Sequence, residues 1–527
     1  MNKKTLAKVA AVVAVGAGAL VAYRAFGWGA MNGPINSLKL DLSKPDALVV
    51  TKSLSSLPRD LLTVPLARDV LREDFLFYYE QTEDRLGLKG SLRRIAYEHE
   101  LGWGDQLIRT VLDEPAEVAL WRDADGSLKH YMIAVSRGKL AGLLAEAGKV
   151  ALKDSQLTVA GDLRVDGEKV TVYALEYAYK RTMLFAAHGK RMVILSHPGM
   201  LYNAERKISD DTAQSTVTKL LMADPAQQKV FHPQFHLEKT AQDGHSIAVK
   251  ADFLSFGYQP FFAGLEALRF DFSKGAWRSQ VLLDAAKLPK SGYDSAALWA
   301  ALPHNPSACF TLPVDWASMQ PVLENIGGKT SQPVLPLATE LSGPAAACWY
   351  GNSRLHTPVF VANRAGGNEA LFASLFQAAI RDSKDAKTQQ GKKGEVQWSS
   401  SVKTAQGGTA PTLAISGNTV VFSADKALVN QVLAVKRKER PAASDLLPDA
   451  KHTVGLIAPA ALAKLIEEES FKTLPSQREP VLRGAVDAHL VPRLQALKKY
   501  PPYRMVLKSV PRQGVSWQPL EWQAAGK

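Results

Sequence analysis

Three common catalytic signatures are missing from this sequence. It contains no G-x-S-x-G nucleophile elbow, no P-loop pattern and no strand-like run followed by G-x-G-x-x-G. Acyl transfer by a nucleophile elbow, phosphate binding by a P-loop and dinucleotide binding therefore have no motif here. These absences favour a protein without enzymatic activity, and they leave open a site assembled from scattered residues.

Histidines at metal-ligand spacing are also scarce. His232 and His236 stand four residues apart, but Pro233 lies between them and no third ligand follows. The run Glu98–Glu100 places a histidine between two carboxylates, yet consecutive residues of a helix point to different faces. We therefore expect His232 and His236 to be surface residues, and we predict no metal ion and no cofactor.

Positive charge is not gathered in one block. Lys and Arg outnumber Asp and Glu by 64 to 51, which gives a formal net charge of +13. The basic residues are dispersed, and aromatic residues are not interleaved with them as on a surface that binds single strands. The basic run Lys436–Arg440 fits the C-terminus of a solvated helix as well as it fits an anionic surface. The sequence therefore predicts no nucleic-acid partner.

Cysteine is nearly absent, since Cys309 and Cys348 are the only two. Each opens a short apolar run that is typical of a strand. In a cytosolic protein they would be read as buried small side chains, whereas in an exported protein they are candidates for a disulfide bond. Such a bond would stabilise the fold by roughly 4 kcal/mol on the chain-entropy model. The sequence leaves both states open, and it offers no other candidate site residues.

Long apolar runs are confined to the N-terminus. Three lysines precede an apolar run over Val9–Tyr23, a pattern typical of a secretory signal. Cleavage after Ala22 would put Leu20 at a position where a small residue is preferred, which counts against cleavage. If the apolar run is extended to Ala30, it reaches the length of about 20 residues that a bilayer crossing needs. We therefore expect residues 1–30 to be an uncleaved anchor in the bacterial inner membrane, with the body in the periplasm. The alternative is a removed signal and a periplasmic protein.

Two hairpin patterns of the same build occur far apart in the chain: Pro115–Trp121 with Tyr131–Arg137, and Pro344–Tyr350 with Pro358–Arg364. Gly-centred hairpin signals at Gly189 and Gly417 follow them in the same order. The matching positions of Trp121 and Trp349 favour core packing over ligand binding. Arg364, like Arg137 in the first pattern, is expected to brace the turn from strand to helix.

The repeated patterns predict a tandem duplication. We expect an α+β fold of two similar lobes, each a mostly antiparallel sheet with covering helices, after the N-terminal membrane anchor. A linker-like break at Pro289 to Gly292 separates the lobes. The predicted boundaries are residues 1–30 for the anchor, 31–46 for a spacer, 47–288 for the first α+β lobe and 294–527 for the second.

The stretch that follows Ser56 resembles a known family. Six short segments carry the resemblance: Leu57–Pro65, Glu73–Phe75, Tyr78–Glu80, Asp84–Leu88, Gly90–Ile95 and Tyr97–His99. They resemble the YfaA-like family of uncharacterised proteobacterial envelope proteins, a domain of unknown function. The resemblance implies a membrane-anchored envelope protein whose genes tend to lie beside those of alpha-2-macroglobulin-like proteins. It supplies no catalytic residue.

These expectations favour a membrane-anchored periplasmic protein without enzymatic activity. We expect it to bind or assist an envelope protein partner, and the resemblance implies an alpha-2-macroglobulin-like protein for that role. The alternative is an envelope hydrolase or peptidoglycan-acting enzyme with a site between the lobes, built from scattered Asp, Glu and His. A cleft holding several such side chains would favour the enzyme.

Overall fold

A computed structural model describes residues 38–54, 56–64, 114–123, 126, 128–136, 157–177, 181–205, 207–223, 230–237, 244–254, 259–273, 275–288, 294–316, 337–355, 357–380, 387–390, 394–404, 407–473, 484 and 486–525. The predicted anchor at 1–30, the run Glu98–Glu100, Arg137 and the family segments beyond Val64 lie outside these residues. Within them, no helix combines the length and the apolar character that a membrane crossing requires.

The chain divides into two compact units. The N-terminal unit is Lys4–Leu254 with Ala267–Ser279, and the C-terminal unit is Ser255–Glu266 with Gln280–Lys527, to which Met1–Lys3 are assigned.

Strands dominate the described part of the N-terminal unit. They are β1 Ala47–Thr51, β2 Ala116–Arg122, β3 Leu128–Ser136, β4 Leu157–Val165, β5 Glu168–Tyr177, β6 Arg181–His188, β7 Arg191–Leu195, β8 His245–Lys250 and β9 Leu265–Ser273, with β10 Ala276–Asp284 after them. The helices are α1 Ser56–Leu62, α2 Asp211–Met222 and α3 Ala251–Leu254. The strand order is β9-β8-β1-β2-β3-β7-β6-β5-β4, and every neighbouring pair is antiparallel.

The C-terminal unit is built from strands in the same way. They are β11 Ala308–Leu312, β12 Leu341–Trp349, β13 Val359–Arg364, β14 Lys387–Gln390, β15 Glu395–Ser399, β16 Val402–Thr404, β17 Gly407–Thr409, β18 Thr412–Ser416, β19 Thr419–Ser423, β20 Thr453–Ile457, β21 Tyr503–Val506 and β22 Val515–Ala524. The helices are α4 Ala296–Trp299, α5 Leu337–Glu340, α6 Glu369–Ala379, α7 Lys426–Lys436, α8 Pro459–Thr473 and α9 Val491–Leu497. The order is β22-β21-β20-β11-β12-β13-β19-β18-β15-β14, again antiparallel.

The predicted fold class is wrong. Within each unit, hydrogen bonding joins the described strands into one antiparallel sheet, apart from β16 and β17, which form a separate two-stranded ribbon. The described helices are few beside the strands, and none of them is a membrane anchor. Mostly antiparallel sheet therefore replaces the predicted α+β balance of sheets with covering helices. The physical reason is that a hairpin leaves unpaired N–H and C=O groups on its outer edges, and further strands pair there without any local sequence signal.

The predicted hairpins themselves are confirmed. β2 pairs with β3, β12 with β13, β6 with β7 and β18 with β19. Gly189 and Gly417 occupy the turns of the last two hairpins with φ of 53° and 56°. A tight hairpin turn requires this left-handed conformation, and glycine adopts it without steric cost. The turn residues therefore specify these pairings locally.

The two matched tryptophans differ in their surroundings. Trp121 is buried, donates its indole N–H to the carbonyl of Asp41 at 2.9 Å and packs edge-on against Phe231. Trp349 is only half-buried and donates to the carbonyl of Leu355. The expectation of core packing is right for Trp121 and wrong for Trp349. Their positions in the repeat differ by one residue, which moves a strand side chain to the other face.

Arg364 braces the end of β13 as expected. Its Nη1 lies 3.5 Å from Oε1 of Glu369, the first residue of α6. The guanidinium also lies over the ring of Phe372, 6.0 Å from its centroid. The side chain therefore links the strand to the helix that follows it.

Candidate functional site

One described cluster places a hydroxyl, an imidazole and a carboxylate in line. Oγ1 of Thr51 lies 2.7 Å from Nδ1 of His245, and Nε2 of His245 lies 3.0 Å from Oδ2 of Asp60. A nucleophile, a base and an orienting carboxylate make contacts in this order in many hydrolases. Among the described residues, this cluster is therefore the best candidate for a nucleophilic site.

Three elements bring the cluster together. Thr51 ends β1 and His245 begins β8, and the antiparallel register sets the two residues directly opposite each other. The Thr51 hydroxyl also lies 2.8 Å from the carbonyl oxygen of Ser53 and 3.1 Å from its N–H, a side-chain turn that ends the strand. The chain then enters α1, where Ser53 Oγ accepts the N–H of Ser56 at 3.2 Å. One turn further, α1 presents Asp60 to His245.

Charge and burial set the protonation state of the cluster. Burial lowers the pKa of His245 below its usual 6.5, although the Asp60 carboxylate opposes this shift. Burial alone would raise the pKa of Asp60, but the hydrogen bond from His245 and the charge of Lys52 lower it below 3.8. The Lys52 ammonium lies 3.6 Å from Asp60. At neutral pH the ring is therefore neutral, with Nε2–H donating to Asp60. Nδ1 and the carbonyl oxygen of Ser53 then compete for the single hydrogen of the Thr51 hydroxyl.

Access to the cluster is the obstacle to catalysis. Thr51 is 3% exposed and His245 is 1% exposed. The ring of Phe272 packs at 5.0 Å from the imidazole centroid. A nucleophilic hydroxyl has to reach a substrate carbonyl, and this one is enclosed. The arrangement can hold β1, α1 and β8 together and can take up a proton, but it presents no open nucleophile.

Cys309 and Cys348 lie directly opposite each other on β11 and β12, and the structure joins them in a disulfide bond. Their Cα atoms are 4.0 Å apart, and both residues are fully buried. They belong to the core of the C-terminal unit together with Val359, Val361 and Leu433. The bond is thus inside the fold, out of contact with solvent.

The predicted histidine pair is not a pair of surface residues. His232 is buried at the start of a short 3₁₀ helix, and His236 is exposed with a left-handed φ of 48°. That prediction is wrong for His232, because the helical turn through Pro233 directs it inward. No group of three or more His, Cys, Asp or Glu suited to a metal ion occurs among the described residues.

Sequence reasoning missed Thr51, Asp60 and His245 as a group. His245 begins β8, and His452 directly precedes β20. His452 has a carboxylate neighbour as well, since its Nδ1 lies 2.9 Å from Asp449 Oδ1, but that contact is local and partly exposed. No local pattern links residue 60 to residue 245. Only the pairing of β1 with β8 brings them together.

A family model described as "Uncharacterized protein conserved in bacteria (DUF2138)" matches residues 4–522. The chain belongs to the DUF2138 family. A curated relative, "Uncharacterized protein YfaA" of Escherichia coli (strain K12), is 34% identical over 520 residues, which are 93% of this chain and 91% of that protein. The resemblance to the YfaA-like family is therefore confirmed. Neither description assigns an activity to a DUF2138 protein.

A solved structure also aligns with part of this DUF2138 chain. It is "Structure of crystal form IV of TP0453", with 10% sequence identity, 48% of this chain and 81% of that chain covered, and a TM-score of 0.22. A likeness at this score carries no argument about fold or function. The function of the DUF2138 protein has to be argued from its own residues.

Proposed function

We propose that this DUF2138 protein is an exported, non-enzymatic binding or accessory protein of the bacterial envelope. The buried Cys309–Cys348 disulfide supports export. Structural disulfides persist in oxidising compartments such as the periplasm and are rare in the cytosol. The chain has no other cysteine with which to exchange. The apolar run near the N-terminus then serves as the inner-membrane anchor, with the body in the periplasm.

An exposed aromatic pair supports binding to a protein partner. Phe360 and Phe422 oppose each other on β13 and β19 and stack with ring centroids 6.4 Å apart. They are 36% and 38% exposed, and Leu355 nearby in the chain is 41% exposed. Large aromatic residues left in water are the residues that a protein partner covers most favourably. The partner is an envelope protein, with an alpha-2-macroglobulin-like protein as the candidate that the family resemblance implies.

The test of export follows the two thiols in living cells. Cells are quenched with acid, free thiols are alkylated with a mass-tagging reagent, and the protein is separated without reductant. We expect Cys309 and Cys348 to be unmodified in normal cells and modified in cells that lack the periplasmic thiol oxidase. A folded, full-length protein with both thiols free in normal cells would remove the support for export.

The test of binding captures partners from detergent-solubilised envelope with the full chain as bait. We expect the double variant Phe360→Ser/Phe422→Ser to lose the captured protein. The matched control is Leu446→Ser, since Leu446 is 51% exposed on a different element. If wild-type bait captures nothing above background, the binding proposal fails.

A second candidate function is an envelope hydrolase, and the contacts of Thr51, His245 and Asp60 are the observation that favours it. The burial of Thr51 counts against it. A serine-hydrolase probe such as a fluorophosphonate distinguishes the two functions. We expect no labelling of the native protein, and labelling that disappears in Thr51→Ala would establish the enzyme instead.

A further inference from the structure

The outer edge of β4 ends the strand order of the N-terminal unit. Among the described strands, β4 pairs only with β5. Asp162 and Arg164 of β4 are exposed. Leu163 and Val165 project from the other face of the sheet and are 1% and 0% exposed, so that face is covered. A further strand can therefore reach β4 in the plane of the sheet, beside its two exposed charges.

The turn between β4 and β5 determines which backbone groups of β4 point outward. Asp166 and Gly167 have φ of 50° and 80°, as in a two-residue type I′ turn. Val165 and Glu168, which flank this turn, are paired and exchange both of their backbone hydrogen bonds. Hydrogen-bonded pairs alternate with non-hydrogen-bonded pairs in an antiparallel ladder. The residues one and three places before Val165 therefore turn their N–H and C=O groups away from β5.

These two outward-facing residues are Arg164 and Asp162, and they carry opposite charges. A β-bulge between Val159 and Gly161 ends the regular part of the edge on one side, and the turn ends it on the other. The edge that a further strand can use is therefore short. Asp162 and Arg164 supply the outward backbone donors and acceptors of that short edge, together with its charges.

A second copy of β4 fits this edge in one register. If two copies pair antiparallel about Leu163, Asp162 of each copy lies directly opposite Arg164 of the other, and the outward N–H and C=O groups of both residues meet. A shift of two residues in either direction sets Asp162 opposite Asp162, or Arg164 opposite Arg164. Opposite charges that face each other on paired strands are stabilising, and like charges are destabilising. The edge is therefore complementary to itself about a two-fold axis.

The charges within one copy also favour this register. Arg164 lies directly opposite Lys169 of β5, and both side chains are exposed. Asp162 contacts Lys169 across 2.9 Å, so the direct ion pair is made with Lys169. In the self-paired register, the carboxylate of Asp162 from the second copy lies beside Arg164. It reduces the repulsion between Arg164 and Lys169.

We propose that this protein forms a symmetric dimer through antiparallel pairing of two copies of β4 about Leu163. Backbone hydrogen bonds at Asp162 and Arg164 of each copy hold the two strands together, and the Asp162–Arg164 ion pairs between copies set the register. Exposed ion pairs and a short ladder each contribute little, so the association is weak and depends on protein concentration. This dimer goes beyond the proposed binding of an envelope partner and does not depend on it.

The experiment measures the mass of the full chain in detergent solution by sedimentation velocity over a range of protein concentrations. We expect the wild type to change from monomer to dimer as the concentration rises. Amide hydrogen exchange on the same samples locates the contact, since peptides that cover β4 should exchange more slowly in the dimer. A wild type that stays monomeric, or that dimerises without protection of β4, contradicts the proposal.

Charge reversals test the register. Asp162→Arg sets two positive charges opposite each other at both ends of the contact, and Arg164→Asp sets two negative charges there. We expect each single variant to dimerise about tenfold more weakly than the wild type. The double variant Asp162→Arg/Arg164→Asp restores opposite charges in the same register and should dimerise like the wild type. These variants change only exposed side chains, so we expect them to fold.

An equimolar mixture of the two single variants is the matched control. In a mixed dimer, opposite charges meet at both ends of the contact, so the mixture should dimerise more strongly than either variant alone. Equal dimerisation of the wild type, the single variants and the mixture would show that β4 is not the interface. If β4 is protected in native envelope while the purified chain stays monomeric, a different protein pairs with this edge and the self-pairing proposal fails.

Discussion

Nε2 of His245 donates to Oδ2 of Asp60 across 3.0 Å, although 185 residues separate the two in the chain. The contact joins the first residue of β8 to the middle of α1, and both side chains are largely shielded from water. Lys52 adds a positive charge 3.6 Å from the same carboxylate. A neutral imidazole fits this environment, because protonation would place a second cation beside Lys52 in a desolvated site.

This contact predicts how stability depends on pH. Because the folded pKa of His245 lies below 6.5, the unfolded chain binds the proton more tightly, and protonation favours unfolding. The stabilisation is full above about pH 6.5 and declines as the pH falls below it, by at most about 1.4 kcal/mol per pH unit for one proton. Asp60, with its pKa lowered from 3.8, affects stability only at still lower pH. Urea unfolding at several pH values between 7.5 and 4.5 measures the decline.

The control for this measurement is His245→Gln. His197 is half-buried, and partial burial lowers its pKa to about 4, so at least two of the described histidines act in the same direction. The variant keeps the contribution of His197 and removes that of His245. We expect the stability of the variant to decline less steeply with acid. Parallel pH profiles for the two proteins would show that His245 titrates at its usual pKa.

The Thr51 hydroxyl is predicted to stabilise the fold through His245. Thr51→Val keeps the shape of the side chain but leaves Nδ1 of a buried imidazole without its partner at 2.7 Å. An unsatisfied buried polar group costs about 1–3 kcal/mol, and we expect the free energy of unfolding to fall by that amount. Thr51→Ser keeps the hydroxyl and loses one methyl, so it should cost about 1 kcal/mol or less. Equal losses in both variants would assign the effect to packing alone.

Local sequence patterns predicted the hairpins but not the sheet. A turn such as the one at Gly189 lies between the strands that it joins, so a short window of sequence contains the whole signal. No short window of sequence contains both β1 and β8. Thr51 and His245 are distant in the chain and come together only when the two strands pair. Since fold class depends on these distant pairings, the predicted pair of α+β lobes was wrong even though its hairpins were right.

The candidate site was beyond sequence reasoning for the same reason. Its three residues come from a strand end, a helix and a strand start, and each is ordinary in its own segment. Cys309 and Cys348 were recognisable because cysteine is rare in this chain, and composition alone singles out a rare residue. Thr51, Asp60 and His245 are common residue types. Only the short distances between their side chains in the folded structure identify them as a group.

The Cys309–Cys348 bond is predicted to stabilise the C-terminal unit. The double variant Cys309→Ala/Cys348→Ala removes a link that closes a loop of 39 residues. The chain-entropy model predicts a loss of roughly 4 kcal/mol, measured by urea unfolding under oxidising conditions. Addition of reductant should lower the stability of the wild type and leave the double variant unchanged. A wild type as unstable as the variant would show that the bond contributes nothing to the folded state.

Gly244 is predicted to be required because its backbone and that of β9 approach each other closely beside the candidate site. A Cβ at this position would lie 2.6 Å from the carbonyl oxygen of Phe272 and 2.9 Å from Cβ of Ser273, and a backbone carbonyl within a ladder cannot move aside cheaply. Since β8 pairs with β9 through His245 and Phe272, Gly244→Ala should push the two strands apart at the residue that contacts Asp60. We expect a loss of about 1–3 kcal/mol in the free energy of unfolding, as for other overpacked sites. Gly351→Ala is the matched control, because nothing lies within 4 Å of the added Cβ. If Gly244→Ala and Gly351→Ala unfold at the same urea concentration, β9 moves aside to accommodate the added Cβ. The distance between His245 and Asp60 then does not depend on the pairing of β8 with β9.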